Sequence, residues 1–177
     1  MKKIISIFLI CCVFVGFTEA QRKKTTVKKA ETYKIAREGS GIDGITVGSS
    51  TADTVIKKFG KNYVKRTYGK YSFSISYPKL GMAFYYCQTD KSKEIFDIEL
   101  RAPYKVKTSK GIILGKSTVA DVKKIYGKSL GQAAGEKGED LEYRGVSFYY
   151  GTVGGKKIIT VIDIVESGGI RQCKEAK

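Results

Sequence analysis

The sequence predicts an α+β fold built as two tandem repeats, each a short helix packed on an antiparallel sheet of three to four strands. Three observations predict it. A stretch near residue 44 recurs near residue 111. Each copy opens with apolar residues at helical spacing. Each continues with runs that alternate apolar and polar residues.

Gly44 to Lys61 can be laid on Gly111 to Lys128 without a gap, and nine of the eighteen positions are identical. Gly81-Met82-Ala83-Phe84-Tyr85-Tyr86 then matches Gly145-Val146-Ser147-Phe148-Tyr149-Tyr150, and Ile98-Glu99-Leu100 matches Ile162-Asp163-Ile164. In the first copy Ala52, Val55, Ile56 and Phe59 fall on one helical face, as do Val119, Val122 and Tyr126 in the second. Ser50 or Thr51 can cap the first helix, and Ser117 or Thr118 the second, because a hydroxyl accepts from the exposed N–H groups of the first turn. Gly60 and Gly127 follow the last apolar residue, where a positive φ ends a helix with little strain. Helices this short are unstable alone and must dock. The surface for docking is the strands. Tyr71 to Tyr77 alternates strictly; Met82, Phe84 and Tyr86 form the next inward row, and Phe96, Ile98 and Leu100 the third. Val146, Phe148 and Tyr150, then Ile162 and Ile164, do the same in the second copy.

These readings divide the chain into a signal peptide (1–20), a basic flexible arm (21–41), repeat 1 (42–103), a linker (104–110), repeat 2 (111–167) and a C-terminal tail (168–177). Lys2 and Lys3 precede the apolar run Ile4 to Phe17, and Thr18-Glu19-Ala20 offers small residues for cleavage before Gln21. The run is shorter than the roughly 20 residues that span a bilayer, so no transmembrane segment is expected in the mature chain. The expected location is secreted or periplasmic. Cys11 and Cys12 raise lipid attachment, but Ile10 or Cys11 would stand where a small residue is needed, which argues against it. The mature chain keeps Cys87 and Cys173. In an oxidising compartment they could form a disulfide that ties the tail to the first half, or remain independent thiols.

The pattern Gly-Ile-x-x-Gly-x-Ser-Thr, short helix, aromatic-Gly-Lys, then strands with a Gly-aromatic hairpin resembles the tandem modules of beta-lactamase inhibitory protein and of small barrel-assembly lipoproteins of the envelope. It covers roughly Gly44 to Val165. The resemblance implies a non-enzymatic protein that binds other proteins. Two departures limit it. Those modules usually carry two helices before the sheet, and the inhibitor has a disulfide in each module, which two cysteines cannot supply. Inhibition of a lactamase is therefore not expected, and no functional residue carries over.

The chain has no His, which excludes a Ser-His-Asp triad, a Cys-His pair and any His-bearing metal site. No catalytic residue, cofactor or metal is expected. Gly115-Lys116-Ser117-Thr118 imitates the end of a phosphate-binding loop, but the position that needs the first Gly is Lys110, so a helix cap is the expected role. Asp97, Glu99 and Asp163 are expected on the solvated sheet face, as surface charges rather than an acid–base pair. Tyr85 and Tyr149 occupy matched outward positions, and with Glu99 and Asp163 they make a candidate protein-binding face for an envelope or extracellular partner. The formal net charge of +16 supports a second candidate. Lys57, Lys58, Lys61, Lys65, Arg66 and Lys70, with the basic arm, could hold an anionic glycan, lipid or other polyanion.

Overall fold

The structure, a computed structural model, describes residues 31–131, 134–135, 138–168 and 173. The fold lies in the unit Thr32–Lys177. The expected signal peptide, the arm as far as Ala30 and most of the tail fall outside the described residues.

Among the described residues fourteen elements follow one another: β1 (Lys34–Ala36), β2 (Gly41–Ile42), β3 (Ile45–Thr46), α1 (Ala52–Phe59), β4 (Val64–Tyr68), β5 (Ser72–Tyr77), β6 (Met82–Cys87), β7 (Ile95–Arg101), β8 (Val106–Thr108), α2 (Val119–Tyr126), β9 (Ala134–Gly135), β10 (Gly138–Tyr143), β11 (Val146–Val153) and β12 (Lys156–Val165). One antiparallel sheet runs in the order β4-β5-β6-β7-β12-β11-β10-β9.

This corrects the expected fold class. The protein is mostly β, with a single continuous sheet in place of two helix-on-sheet repeat units. The join is the ladder between β7 and β12, where Ile98 faces Ile164, Glu99 faces Asp163 and Leu100 faces Ile162. The reason is an edge problem. Ile95, Ile98 and Leu100 on β7 and Ile159, Ile162 and Ile164 on β12 are all fully buried. Left as edges, these two strands would present long apolar ladders to solvent and to other chains. Pairing them removes both edges, and it pools two cores that would each be marginal at about 60 residues.

The core lies on one face of the sheet. Phe84 and Phe148 are its largest fully buried side chains. They pack under α1, α2, the short strands that supply Ala36, Ile42, Ile45 and Val106, and Ile112 of the connection after β8. Each helix has eight residues. Thr51 caps α1 by accepting from Thr54 N–H, and Thr118 caps α2 by accepting from Asp121 N–H, while the Asp121 carboxylate accepts from Thr118 N–H. The phosphate-loop look-alike is thus part of a capping box. Gly60 and Gly127 end the helices at φ +88° and +79°. Tyr77 donates to the Gly60 carbonyl at 2.8 Å and Tyr143 to that of Gly127 at 3.1 Å, so the same device fastens each helix end to the sheet.

One inward row differs from expectation. The β6–β7 register slips between Tyr85 and Tyr86, so Tyr86 faces Ile95 while Tyr85 faces Asp97. Ile95 therefore takes the core position, and Phe96 packs on the opposite face with Tyr85 and Cys87. A bulge inserts one residue and reverses the facing upstream of it, which strict alternation cannot foresee.

The arm and linker boundaries also shift. Lys34–Ala36 pairs in parallel with Val106–Thr108, so parts of both segments are built into the fold. Glu38 accepts hydrogen bonds from Tyr126 at the end of α2 and from Ser109, and Asp43 accepts one from Tyr104 and an ion pair from Lys34 at 3.1 Å. Burial alone would raise both carboxyls, but these bonds outweigh it and lower them. A depressed carboxyl contributes stability that is present above the unfolded value, near 4, and is lost as pH falls through the folded one. Stability should therefore fall as pH drops below about 4, and Glu38→Gln should flatten that fall. Urea midpoints measured from pH 6 down to 2.5 test this; parallel curves for parent and variant would refute it.

Candidate functional site

The face opposite the core carries the polar candidates. Strand alternation puts Ser74 and Ser76 of β5, Ala83 and Tyr85 of β6, and Asp97, Glu99 and Arg101 of β7 on this side, with Asp163 of β12 directly beside Glu99. The expectation of solvated surface charges is corrected here. Asp97, Glu99 and Asp163 are only 7%, 5% and 2% exposed.

The four residues proposed from sequence as a protein-binding face lie on one side of the sheet but do not form an exposed aromatic platform. Tyr85 is buried and donates to Glu99 Oε2 at 2.8 Å. Tyr149 is half-buried on β11, opposite Asp140 and Val161. Tyr85 and Tyr149 stand on strands separated by β7 and β12, so they do not touch one ligand group together. The sequence placed them correctly by alternation. It could not show that hydrogen bonding would draw Tyr85 into the sheet.

A cavity of about 330 Å³ opens at one end of this face. Its principal polar walls are Arg66 and Tyr68 of β4, Ser76 of β5, Tyr85 of β6, and Glu99 and Arg101 of β7. Arg101 Nη2 lies 2.5 Å from Glu99 Oε1, so both oxygens of that carboxylate are engaged, one by Arg101 and the other by Tyr85. Burial, and then the adjacent Glu99 charge, push the Tyr85 phenol far above the usual tyrosine range. It stays protonated and acts as a fixed donor. Tyr68 hydrogen-bonds with Tyr85, Ser74 and Arg66, and its ring stands 5.2 Å from that of Tyr85. The result is a braced wall of guanidinium, carboxylate and phenol groups. Arg66 is exposed, and the Arg101 side chain is about half-exposed at 49%.

The turn beneath this cavity depends on Gly81. Its φ is +71°, and a Cβ there would lie 2.2 Å from the Arg101 carbonyl oxygen. Only glycine lets the hairpin pass that close to the strand end bearing Arg101.

Arg66 comes from the second set of candidates, so the cavity brings together one member of the polyanion set with Tyr85 and Glu99 from the first. Tyr68 and Arg101 were not in either set. Their signal was present in the alternation of Val64 to Tyr68 and in the position of Arg101 two residues after Glu99. The remaining cations do not converge on the cavity. Lys57 and Lys58 lie on the last turn of α1, and Lys61 and Lys70 on the flanking connections. Lys65 points to the opposite side of β4 from Arg66, with its Nζ 4.8 Å from the Phe73 ring centroid. The six are exposed but do not share a single face.

Cys87 and Cys173 are joined by a disulfide that ties residue 173 to β6 across 86 residues of chain. Among the described residues, no group of three Cys, Asp or Glu side chains is placed to hold a metal ion, and no helix is long and apolar enough to cross a membrane.

A mostly β protein with one sheet of this order, two short helices on one face and a polar cavity on the other is the class these observations define. No protein-family model matches the chain, and no curated protein matches it. Among solved structures it is similar to a DUF4309 family protein, YjgB, from Bacillus subtilis subsp. subtilis str. 168, at 14% identity and a TM-score of 0.48, over 72% of this chain and 88% of that one.

Proposed function

We propose that the chain is an exported, non-catalytic module that binds a protein of the envelope or the extracellular space, and that the contact centres on the cavity between Arg66 and Arg101. The observation that carries this reading is the braced polar wall. Both Glu99 oxygens are engaged and the Tyr85 phenol is held protonated, so neither is poised as a base or nucleophile. What the wall offers an incoming group is directed hydrogen bonding from two partly accessible guanidiniums, a pattern suited to a carboxylate. The charged start, apolar run and small residues before Gln21 support export, as does a disulfide, which persists in oxidising compartments.

The test is affinity capture from envelope extract and culture fluid of the parent cell, using the chain from Gln21 and the double variant Arg66→Gln/Arg101→Gln. The parent should retain one discrete protein through a high-salt wash, and the double variant should lose it at least tenfold. Retention of acidic polymer by both proteins, released alike by salt, would instead favour the arm and lysines as a polyanion site.

A further inference from the structure

We infer that the outer edge of β4 is a docking edge, where an extended acidic segment of a partner protein adds to the sheet beside Val64–Tyr68. This rests on the binding reading above and names the chemistry of its partner.

The two edges of the sheet are treated differently. At the far end, β10 is covered by its own chain. Leu130 N–H donates to the Glu142 carbonyl at 2.8 Å, Glu142 N–H donates to that of Gly131 at 3.2 Å, and Ala134–Gly135 pairs with Gly138–Glu139. At the near end, β4 pairs with β5 from Val64↔Ser76 to Tyr68↔Ser72 with no register shift. Among the described residues no further strand or backbone hydrogen bond lies on its other side. Val64 to Thr67 are exposed. A strand left unbulged and open presents a row of backbone donors and acceptors, the requirement for strand addition.

Charge selects what can be added. From Thr54 to Thr89 the chain holds Lys57, Lys58, Lys61, Lys65, Arg66, Lys70 and Lys79 and not one Asp or Glu. On β4 itself, Lys65 and Arg66 project to opposite faces, so acidic side chains on either face of an added strand meet a cation. A second copy of β4 would set like charges against each other, which opposes self-pairing. A polysaccharide could neutralise the cations but lacks the peptide groups that strand pairing needs.

Two cavities flank the edge and give side-chain selectivity. One is the Arg66–Tyr68–Arg101 cavity. The other, about 410 Å³, is lined by Phe59, Asn62, Val64, Tyr77, Pro78, Lys79 and Leu80 at the start of β4. Val64 and Leu80 are 45% and 41% exposed there. Residues two apart on an added strand share a face, so its acidic row lies either along Arg66 and Val64 or, on the other side, along Lys65.

The probe is a capped peptide of about nine residues, the length of a long strand, alternating Glu and Val, titrated into the chain from Gln21 at low salt and followed by amide NMR. Saturable binding with slowed exchange of β4 amides is expected, weakened at least tenfold by Lys65→Glu/Arg66→Glu. Two further peptides, N-methylated at alternate residues in opposite phase, should separate: one loses binding and the other keeps it, because only alternate amides face the protein. Equal binding of all three peptides, or no saturable binding up to about 1 mM, would overturn strand addition. If that happens while the discrete captured protein still depends on Arg66 and Arg101, the cavity reading stands and only the edge is wrong.

Discussion

Phe84→Ala and Phe148→Ala are each expected to cost about 3–5 kcal/mol, the range for deleting a large buried ring. Both side chains are fully buried on central strands. Phe84 packs with Phe59 and Tyr77 at centroid distances of 5.5 and 6.3 Å, and Phe148 with Tyr126 and Tyr143 at 5.1 and 6.0 Å. Each ring therefore couples a helix to the sheet, and its loss leaves a cavity that rigid strands fill poorly. The two rings stand on β6 and β11, three strand spacings apart, or roughly 14 Å. Their effects should add. The double variant would then lose about 6–10 kcal/mol, enough to unfold a domain of ordinary stability. Urea unfolding of the single variants checks this and also tests the sheet join. Each substitution should lower one shared transition. Two separate transitions would mean that the halves fold independently, and a loss under about 1 kcal/mol, far below the usual range, would mean that these rings are not at the centre of the core.

Cys173→Ser is expected to destabilise the protein by about 2–4 kcal/mol, mainly by freeing the unfolded chain. The bridge spans 86 residues, so the closed loop includes β7, the β7–β12 join and all of the later strands among the described residues. Cys87 also sits in a small apolar cluster with Ala83, Tyr85 and Phe96, against which Cys173 packs. Tyr85 belongs to that cluster, so loosening it should disturb the Tyr85–Glu99 bond as well as stability. Reducing the parent protein should reproduce the shift in urea midpoint given by Cys173→Ser. A parent whose midpoint does not move on reduction would sink the prediction.

Much of the local structure was legible in sequence. The Thr caps, the positive-φ glycines after each helix, and the inward Phe84 and Phe148 all follow from short-range chemistry, in which a residue and its neighbours within one turn or one pleat carry the signal. The candidate site was legible only in part. Alternation put Tyr85 and Glu99 on the face opposite the core, and the same reasoning applied to Val64 to Tyr68 would have put Arg66 and Tyr68 there too. What alternation does not carry is distance across strands. Arg66 and Arg101 are separated by two intervening strands, and only the order β4-β5-β6-β7 makes them walls of one cavity.

By itself, then, the sequence determined the two short helices with their caps and end glycines, and which side chains several strands turn inward before a bulge intervenes. The tertiary structure decided the rest. It made one sheet where two units were expected, because two apolar edge strands are more stable paired than exposed. It moved Phe96 off the core face through a bulge, and it buried Tyr85, Glu99 and Asp163 on a face that alternation alone marks as polar. Periodicity records which way a side chain points; what lies beside it depends on pairings between residues far apart in the chain, and those form only when the whole sheet closes.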